Sequence, residues 1–427
     1  MSRLKYALIG HGRRGAAHLS TAATLKDTFE VVAVCDAHQE SAEAGAAKVG
    51  TKAYTDVQKM VDETSPDLCD VVVPIQLHHI VSCYLSRRGI SHNVETGLAP
   101  TLGLMDMMIT DAAENGVKLQ TSENFPFIPV EQFVCKLIQE GVIGNVHKCY
   151  RLFSTTGYHG LAAIRYRMDA NPKAVSSIGH TMPVTPYTDG AKRDFNRENL
   201  EFYAIDFDNG GLGIAMVGNK NGRLGRNKLV GFETCGERGT IITNGNQSAT
   251  GGETVNVCTD EDITERAGKA QTYEFQREYS EKGILRRIFV ELPTSLGGTV
   301  EWVNPYHGTT IAENGISLAT MLDGIARAVQ DDTQPLWTGE MGRADQEMVI
   351  AAHRSIQMNR QPVELPLEAN PAEEETFDRN FEAQFGVHPR EDIEKALQVN
   401  LGFLKGTQRF PLPINVLSMC SYENAKK

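Results

Sequence analysis

Two α/β layers of different design are expected from this chain: a doubly wound parallel sheet first, then a domain with an open, mainly antiparallel sheet. Three observations predict them. Strand-like and helix-like segments alternate through the first 123 residues. A glycine-rich turn joins the first strand to the first helix. From about Val146 the rhythm changes to strands joined by Gly-, Asn- and Asp-rich turns.

The first strand is expected in "LKYALIG", running into the turn and a helix start. "FEVVAVCD" is a second buried strand ending in an acid. "DLCDVVVPI" is a third, with the continuous β-branched run of a strand covered on both faces. "ISHNVE" and "VKLQTSE" follow, each after a helical stretch, and Asn115-Gly116 is a helix stop. Such alternation implies parallel strands with crossover helices.

The turn itself reads Gly10-His11-Gly12-Arg13-Arg14-Gly15, a G-x-G-x-x-G between strand and helix. The first glycine permits the tight turn, the second lets a pyrophosphate approach the backbone, and the third lets helix and strand pack closely. The helix start adds N–H donors and a positive dipole end. Asp36 ends the next strand, about 20 residues on, where a carboxylate accepts bonds from a ribose 2′-hydroxyl. A 2′-phosphate would meet a like charge there, so the expected cofactor is NAD, on a Rossmann-type domain. Arg13 and Arg14 either help hold the phosphates or are solvated first-turn arginines.

"PVEQFVCKLIQEGVIGNV" sets Val130, Phe133, Val134, Leu137 and Ile138 on one helical stripe. Strands are expected in "VHKCYRLFS", "LEFYAIDFDNGGLGIAMVG", "KLVGFETCGERGTIITNG", "ETVNVCT" and "RRIFVEL", and helices return near 315–329 and 343–358. "LEANPAEEETFDRN" then opens a charged extension whose contiguous acids suit a solvated linker better than a metal site. The domain boundaries expected are 1–123, 124–366 and 367–427, the role of the last being open; "RFPLPINVL" within it could pack on the core, cap a pocket or make a subunit contact.

At 427 residues the chain is too long for one ordinary core. Its 41% hydrophobic and 22% charged residues suit a soluble globular protein. The net charge of -12 argues against nucleic acid and anionic membranes as main partners. The eight cysteines form no C-x-x-C, and several sit inside apolar runs, so buried free thiols are expected. No basic-then-apolar leader precedes the first strand and no apolar run is long enough to span a bilayer, which makes the cytoplasm the expected location. No metal-ligand spacing stands out; His78-His79 at an apolar helix start is weak evidence for one.

With "GHGRRG", "VVAVCD", "VVVPIQLHH", "HNVETGLAP", "ENFPFIP" and "LIQEGVIGNV" in this order, the chain resembles the Gfo/Idh/MocA oxidoreductase family over roughly residues 4–366. The resemblance implies a Rossmann domain, a C-terminal α/β domain whose open sheet often mediates homo-oligomers, and a small carbohydrate or cyclitol substrate. Pro74 and His78 match the family's T-P-N-x-x-H segment along the cofactor, with Ile75 replacing the asparagine. Glu95 matches the acid of E-K-P, but Thr96 and Gly97 stand where lysine and proline are usual. Asn124 matches N-x-R without its arginine. The downstream D-x-G-x-H is degraded to "SSIGHT", with Ser177 and Thr181 at the acid and histidine positions and His180 displaced by one.

Oxidising a sugar hydroxyl needs a base within hydrogen-bond reach, and a threonine hydroxyl does not titrate near neutrality. Candidates gather in "TTGYHGLAAIRYRMDANPKAVSSIGHT", a poor strand former expected to be a loop-to-helix segment. His159 and His180 could titrate near neutral pH. Tyr158 or Tyr166 could act if a cation such as Arg165 or Arg167 lowered its pKa. For either histidine a hydrogen-bonded structural role is the plain alternative. His307 is a further candidate. The cations near 165–173 and Arg193 are compatible with an anionic sugar, and equally with the surface.

Three functions follow. One is an NAD-dependent oxidoreductase acting on a sugar hydroxyl with a non-lysine acid/base. The second is a redox-neutral glycoside hydrolase or lyase working by transient oxidation, elimination and re-reduction. The third is a non-catalytic NAD-binding sensor.

Overall fold

A computed structural model describes residues 3–154, 157–188, 194–218, 231–244, 252–259 and 270–399. The chain divides into two compact units. One holds the residues up to Asn124, Leu318–Gln346 and 368–399; the other holds the described parts of Phe125–Ser317 together with Glu347–Leu367.

The first unit opens with β1 (Leu4–Ile9), α1 (Arg13–Thr24), β2 (Phe29–Cys35), α2 (Gln39–Val49), β3 (Lys52–Tyr54), α3 (Val57–Thr64), β4 (Leu68–Val71), α4 (His78–Arg87), β5 (Ser91–Val94), α5 (Leu102–Glu114) and β6 (Leu119–Thr121). The strands form one sheet in the order β3-β2-β1-β4-β5-β6, and every pairing is parallel. This is the expected doubly wound sheet. The order reverses between β1 and β4, so the carboxyl ends of those strands flank the switch point where such sheets bind ligands. The apolar strand runs lie where burial on both faces demands them: Leu8, Val34, Leu68 and Val71 are all fully buried.

The second unit starts at a 3-10 turn over Phe125–Phe127 and continues through α6 (Pro129–Gln139), β7 (Val146–Ser154) and α7 (Gly157–Met168). There follow β8 (Pro172–Thr188), β9 (Asp194–Phe207), β10 (Leu212–Gly218), β11 (Gly231–Gly236), β12 (Gly239–Thr243), β13 (Thr254–Val257), β14 (Gln271–Glu274), β15 (Gln276–Tyr279), β16 (Leu285–Glu291) and β17 (Thr299–Val303). With the short β18 (Val363–Glu364), nine strands make a sheet in the order β14-β13-β12-β11-β7-β10-β9-β8-β18. Only β10 and β7 pair in parallel, so the sheet is mixed and mainly antiparallel. Strands β15, β16 and β17 form a small sheet apart.

The alternation of strand side chains gives the large sheet two unlike faces. Cβ atoms added at Gly213 of β10 and Gly179 of β8 would press on Ile164 of α7 and on Ile356 of the helix α9 (Gly339–Gln357), so helices cover that face. On the other face Phe202 and Ile242 are 41% and 42% exposed.

Two expectations are corrected. The 172–180 stretch, expected as loop running to helix, is the first half of the long strand β8. Its Gly-, Ser- and Pro-rich composition is a poor strand former, but pairing with β9 from Pro172 onward supplies the ladder that local propensity does not. The acid run, expected as a solvated linker, is the helix α10 (Pro371–Phe385), preceded in chain order by α8 (Ile316–Gln330) and α9 and followed by α11 (Ile393–Gln398). Asn370 caps α10 by accepting from the Ala372 N–H, and Phe377 and Phe381, one helical turn apart, are fully buried. Their rings meet the His79 imidazole edge-on, at 5.9 and 6.1 Å between centroids. His79 is thus enclosed by α10.

Arg193, Cys420 and the "RFPLPINVL" segment lie outside the described residues. Among the described residues no helix is long and apolar enough to cross a membrane.

Candidate functional site

In the first unit the glycine turn has the shape its sequence calls for. Gly10 has φ +98°, a left-handed conformation that disfavours any side chain, and a Cβ there would collide with the Val72 carbonyl. A Cβ at Gly15 would collide with the Gly10 carbonyl, so α1 rests directly on the turn. At Gly12, by contrast, a Cβ would meet nothing within 4 Å. No side chain caps α1, whose first N–H groups therefore face that open space. Asp36 accepts the His11 N–H on Oδ2 and the His38 N–H on Oδ1, both at 2.8 Å, which leaves lone pairs on each oxygen for a ribose. The His11 ring turns away, its Nδ1 2.8 Å from the Ser41 carbonyl oxygen. Arg13 is exposed. These features fit a dinucleotide: the turn 10–15 would hold the pyrophosphate and Asp36 the adenosine ribose.

Pro74 is exposed and Ile75 half-buried, at a 3-10 turn after β4. Buried His78 sets Nε2 2.8 Å from the Val73 carbonyl oxygen and Nδ1 2.9 Å from that of Gly97, joining this turn to the one after β5. Asn124 is buried at the end of the segment following β6.

The turn after β5 carries the departure from E-K-P. Glu95 is buried, and each carboxylate oxygen has two donors. Arg14 Nε donates to Oε1, which also lies 3.0 Å from His18 Nε2. Thr96 donates to Oε2 from its backbone N–H at 2.8 Å and from its hydroxyl at 3.1 Å. Burial would raise the Glu95 carboxyl, but His18 and Arg14 overcome this and hold it well below the usual carboxylate range. A carboxylate so saturated is a fixed negative charge, a poor proton acceptor. Gln346 braces the same turn, accepting the Leu98 N–H and donating to the Ala99 carbonyl at 3.0 Å. A Cβ at Gly97 would stand 2.8 Å from its Cδ, so the side chain of Gln346 occupies the space a proline ring would need.

The buried partner of Glu95, His18, escaped the sequence reading. Its Nδ1 lies 2.8 Å from Asp70 Oδ2, which also accepts the Tyr6 hydroxyl at 2.6 Å; Asp70 Oδ1 accepts from Asn93 Nδ2 at 2.8 Å. Burial works to lower the His18 pKa, but Asp70 and Glu95 carry it up to about 9. A usable signal was present: Asp70 is a lone acid inside an apolar strand, and such an acid requires a buried partner.

In the second unit the segment 157–180 separates its candidates. Tyr158 and His159 begin α7, ring centroids 4.4 Å apart. His159 stacks on Phe125 at 6.0 Å and 23°. Tyr166, farther along α7, packs on Phe127 at 5.8 Å. Burial pushes its hydroxyl up to about 12, opposite to the lowering a tyrosine base needs. Arg167 is no surface cation: it is buried in a bidentate pair with Glu131, while Arg165 is half-buried. His180 is exposed on β8 opposite Leu200. Its neighbour Gly179 faces Ile356 of α9, so His180 points to the uncovered face, away from the side where α7 packs. His159 and His180 therefore do not form one site. Ser177 is buried and donates to the Phe202 carbonyl oxygen at 3.0 Å. His307 is exposed, its Nδ1 2.8 Å from the Asn304 carbonyl oxygen. A further polar cluster was not foreseen: Glu201 accepts the Tyr203 hydroxyl and lies 3.1 Å from His353 Nε2.

A doubly wound parallel sheet with an intact glycine turn and an acid closing β2, joined to a mixed-sheet α/β unit, is the build of an NAD-binding protein of oxidoreductase type. The chain belongs to the Gfo/Idh/MocA family: residues 4–123 match "Oxidoreductase family, NAD-binding Rossmann fold" and residues 151–365 match "Oxidoreductase family, C-terminal alpha/beta domain". It is 29% identical over 146 residues to D-apiose dehydrogenase of Paraburkholderia graminis, a match spanning 34% of this chain and 39% of that protein. It is 24% identical over 156 residues to "Glycosyl hydrolase family 109 protein 1" of Akkermansia muciniphila, spanning 34% of this chain and 32% of that one. Each match thus spans well under half of the relative's length. Among solved structures, levoglucosan dehydrogenase in complex with NADH and levoglucosan superposes with a TM-score of 0.64 at 18% identity, covering 86% of this chain and 100% of that chain. An NAD-binding oxidoreductase from Klebsiella pneumoniae gives the same TM-score, 0.64, and the same 18% identity, again over 86% of this chain and 100% of that chain. These likenesses establish the fold.

Proposed function

We propose that the protein is an NAD-dependent oxidoreductase acting on a hydroxyl of a sugar or sugar derivative, with an acid/base other than lysine. The observation that carries this reading is the contrast within the first unit. The cradle at Gly12 and Asp36 is open and furnished with donors and acceptors, while the Glu95–Thr96 turn has kept its acid and lost its titratable cation. NAD bound in that cradle supplies the hydride acceptor. Glu95 stays ionised and holds the Thr96 hydroxyl. The proton of the reacting hydroxyl then needs another acceptor, and we assign it to His159, with Tyr158 beside it to orient a ligand. Both are half-buried at the start of α7. The relatives active on D-apiose and levoglucosan support a carbohydrate of similar size.

The similarity to the glycosyl hydrolase family 109 protein favours one second reading, in which transient oxidation beside a leaving group permits elimination and is then reversed, with no net redox change.

The purified chain is incubated with NAD and a panel of neutral sugars, uronic acids and glycosides, D-apiose and levoglucosan included, while NADH absorbance and product mass are followed. Accumulating NADH supports the first reading, and product without NADH the second. Bound NAD with neither signal leaves a sensor and overturns both. His159→Ala is expected to lower turnover by about 10²–10⁴-fold; full turnover in that variant removes His159 as the base.

A further inference from the structure

Sealed beneath the Glu95 turn, the His18 ring is enclosed by two carboxylates. Nδ1 is 2.8 Å from Asp70 and Nε2 is 3.0 Å from Glu95, and both His18 and Asp70 are fully buried. A neutral imidazole has one N–H, so it would leave a ring lone pair facing a carboxylate oxygen in a buried site. The geometry is satisfied only when both nitrogens carry protons. The groups facing the ring are then two anions, Asp70 on β4 and Glu95 on β5, two cations, His18 itself and Arg14 on α1, and the neutral Tyr6 hydroxyl on β1. His78 stands within electrostatic reach of Glu95. The charges balance within the cluster.

The consequence reaches the surface at one residue. Glu95 is fixed on Oε1 by Arg14 and His18, so Oε2 is aimed at Thr96 and takes both of its donors. Thr96 is the half-buried residue of a turn whose residues 95 and 97–100 are buried. Its hydroxyl proton is committed inward to Glu95, leaving only lone pairs to offer outward.

We propose that His18 is a positioning residue of the site: as an imidazolium shared by Asp70 and Glu95, it locks Glu95 so that Thr96 presents a hydrogen-bond acceptor to a hydroxyl of the bound substrate. This deepens the oxidoreductase reading and rests on it for the rate measurements below, though not for the charge of the ring. In place of a residue that exchanges a proton, the turn offers a fixed acceptor backed by a buried cation.

The test starts with the full-length, 15N-labelled protein and needs no substrate. Imidazole 15N–1H spectra between about pH 6 and 8.5 are expected to show His18 protonated on both nitrogens and not titrating near its ordinary value of about 6.5. A pyridine-type nitrogen on His18 within that range overturns the proposal. The second measurement uses NADH binding and turnover on whichever panel sugar gives NADH. His18→Gln and Thr96→Val are each expected to lower kcat by about 10²-fold and Thr96→Ser to restore it, with the NADH Kd unchanged because the glycine turn is untouched. The double variant His18→Gln/Thr96→Val is expected to be no slower than either single, since both break one chain of contacts. Losses that multiply, or a weakened NADH Kd with kcat intact, overturn the positioning role. Should His18→Gln not fold, the spectra and the Thr96 pair still decide. A panel without turnover removes the oxidoreductase reading and leaves the charge of His18 to be read from the spectra.

Discussion

Two buried ion clusters, one in each unit, answer opposite needs. In the second unit Arg167 and Glu131 are wholly enclosed and joined by bonds of 2.7–2.9 Å; Thr234 and Thr243 also accept from the guanidinium at 2.9 and 3.0 Å, and the Phe232 ring lies 4.1 Å beneath. Each guanidinium nitrogen of Arg167 has a partner, and all of those partners are themselves buried. In the first unit the cation bridging the carboxylates is a histidine, which can lose its charge, and the chain of bonds ends on half-buried Thr96. A guanidinium, which does not titrate, ties α6 to α7 permanently. An imidazole sits where the turn must be held but where pH can reach the outcome.

The largest effect is expected from breaking the permanent pair. Glu131→Ala leaves an enclosed guanidinium uncompensated and costs about 3–5 kcal/mol, a large part of a domain's stability. Urea unfolding measures it. Arg167→Met combined with Glu131→Leu should recover most of the loss, because apolar side chains of similar volume replace a buried pair at little cost. If the double variant is as unstable as the single, the pair does more than fill its space.

The titratable cluster should show a pH dependence that the other lacks. The His18 pKa is raised in the folded chain to about 9, so its stabilising contribution is complete below its ordinary value of 6.5 and is lost as pH rises through about 9. Glu95 works in the opposite sense, its contribution present above the usual carboxylate range and lost only in strong acid. The free energy of unfolding should therefore fall between about pH 7 and 9.5 by a few kcal/mol in the natural chain, and stay level in His18→Gln. An equal fall in both would assign the alkaline loss elsewhere.

How far these clusters could be read in advance follows from the separation of their parts. The parallel sheet, the glycine turn and Asp36 were legible because each is a local pattern: a β-branched run, a spacing of glycines, an acid closing a strand. His18 and Asp70 are 52 residues apart and His18 and Glu95 77, and no periodicity joins them. Arg167 and Glu131, 36 apart, lie on two helices, and Arg167 read as one more surface cation. Strand β8 failed for the same reason, since its partner β9 makes it a strand. Helix α10 was a different failure. Asn370-Pro371, the acids Glu373 and Glu374 in the first turn, and phenylalanines at 377, 381 and 385 are all helix signals, although the contiguous acids among them suit a solvated linker equally well.

The smallest effect concerns the neutral brace beside the titratable cluster. Gln346 satisfies the Leu98 N–H and the Ala99 carbonyl, both in fully buried residues, without any charge. Gln346→Ala strands both groups and is expected to cost about 1–3 kcal/mol at every pH, because no group in the contact titrates. Gly97 supplies the control. A Cβ there would stand 2.8 Å from Gln346 Cδ, so Gly97→Ala should destabilise the natural chain and be nearly neutral once Gln346 is alanine. If Gly97→Ala costs the same in both backgrounds, the glycine is required by the backbone of the turn, and the brace was built around a glycine already needed there. If the cost vanishes, the Gln346 side chain itself excludes any larger residue at position 97, and the brace rather than the backbone keeps this position a glycine.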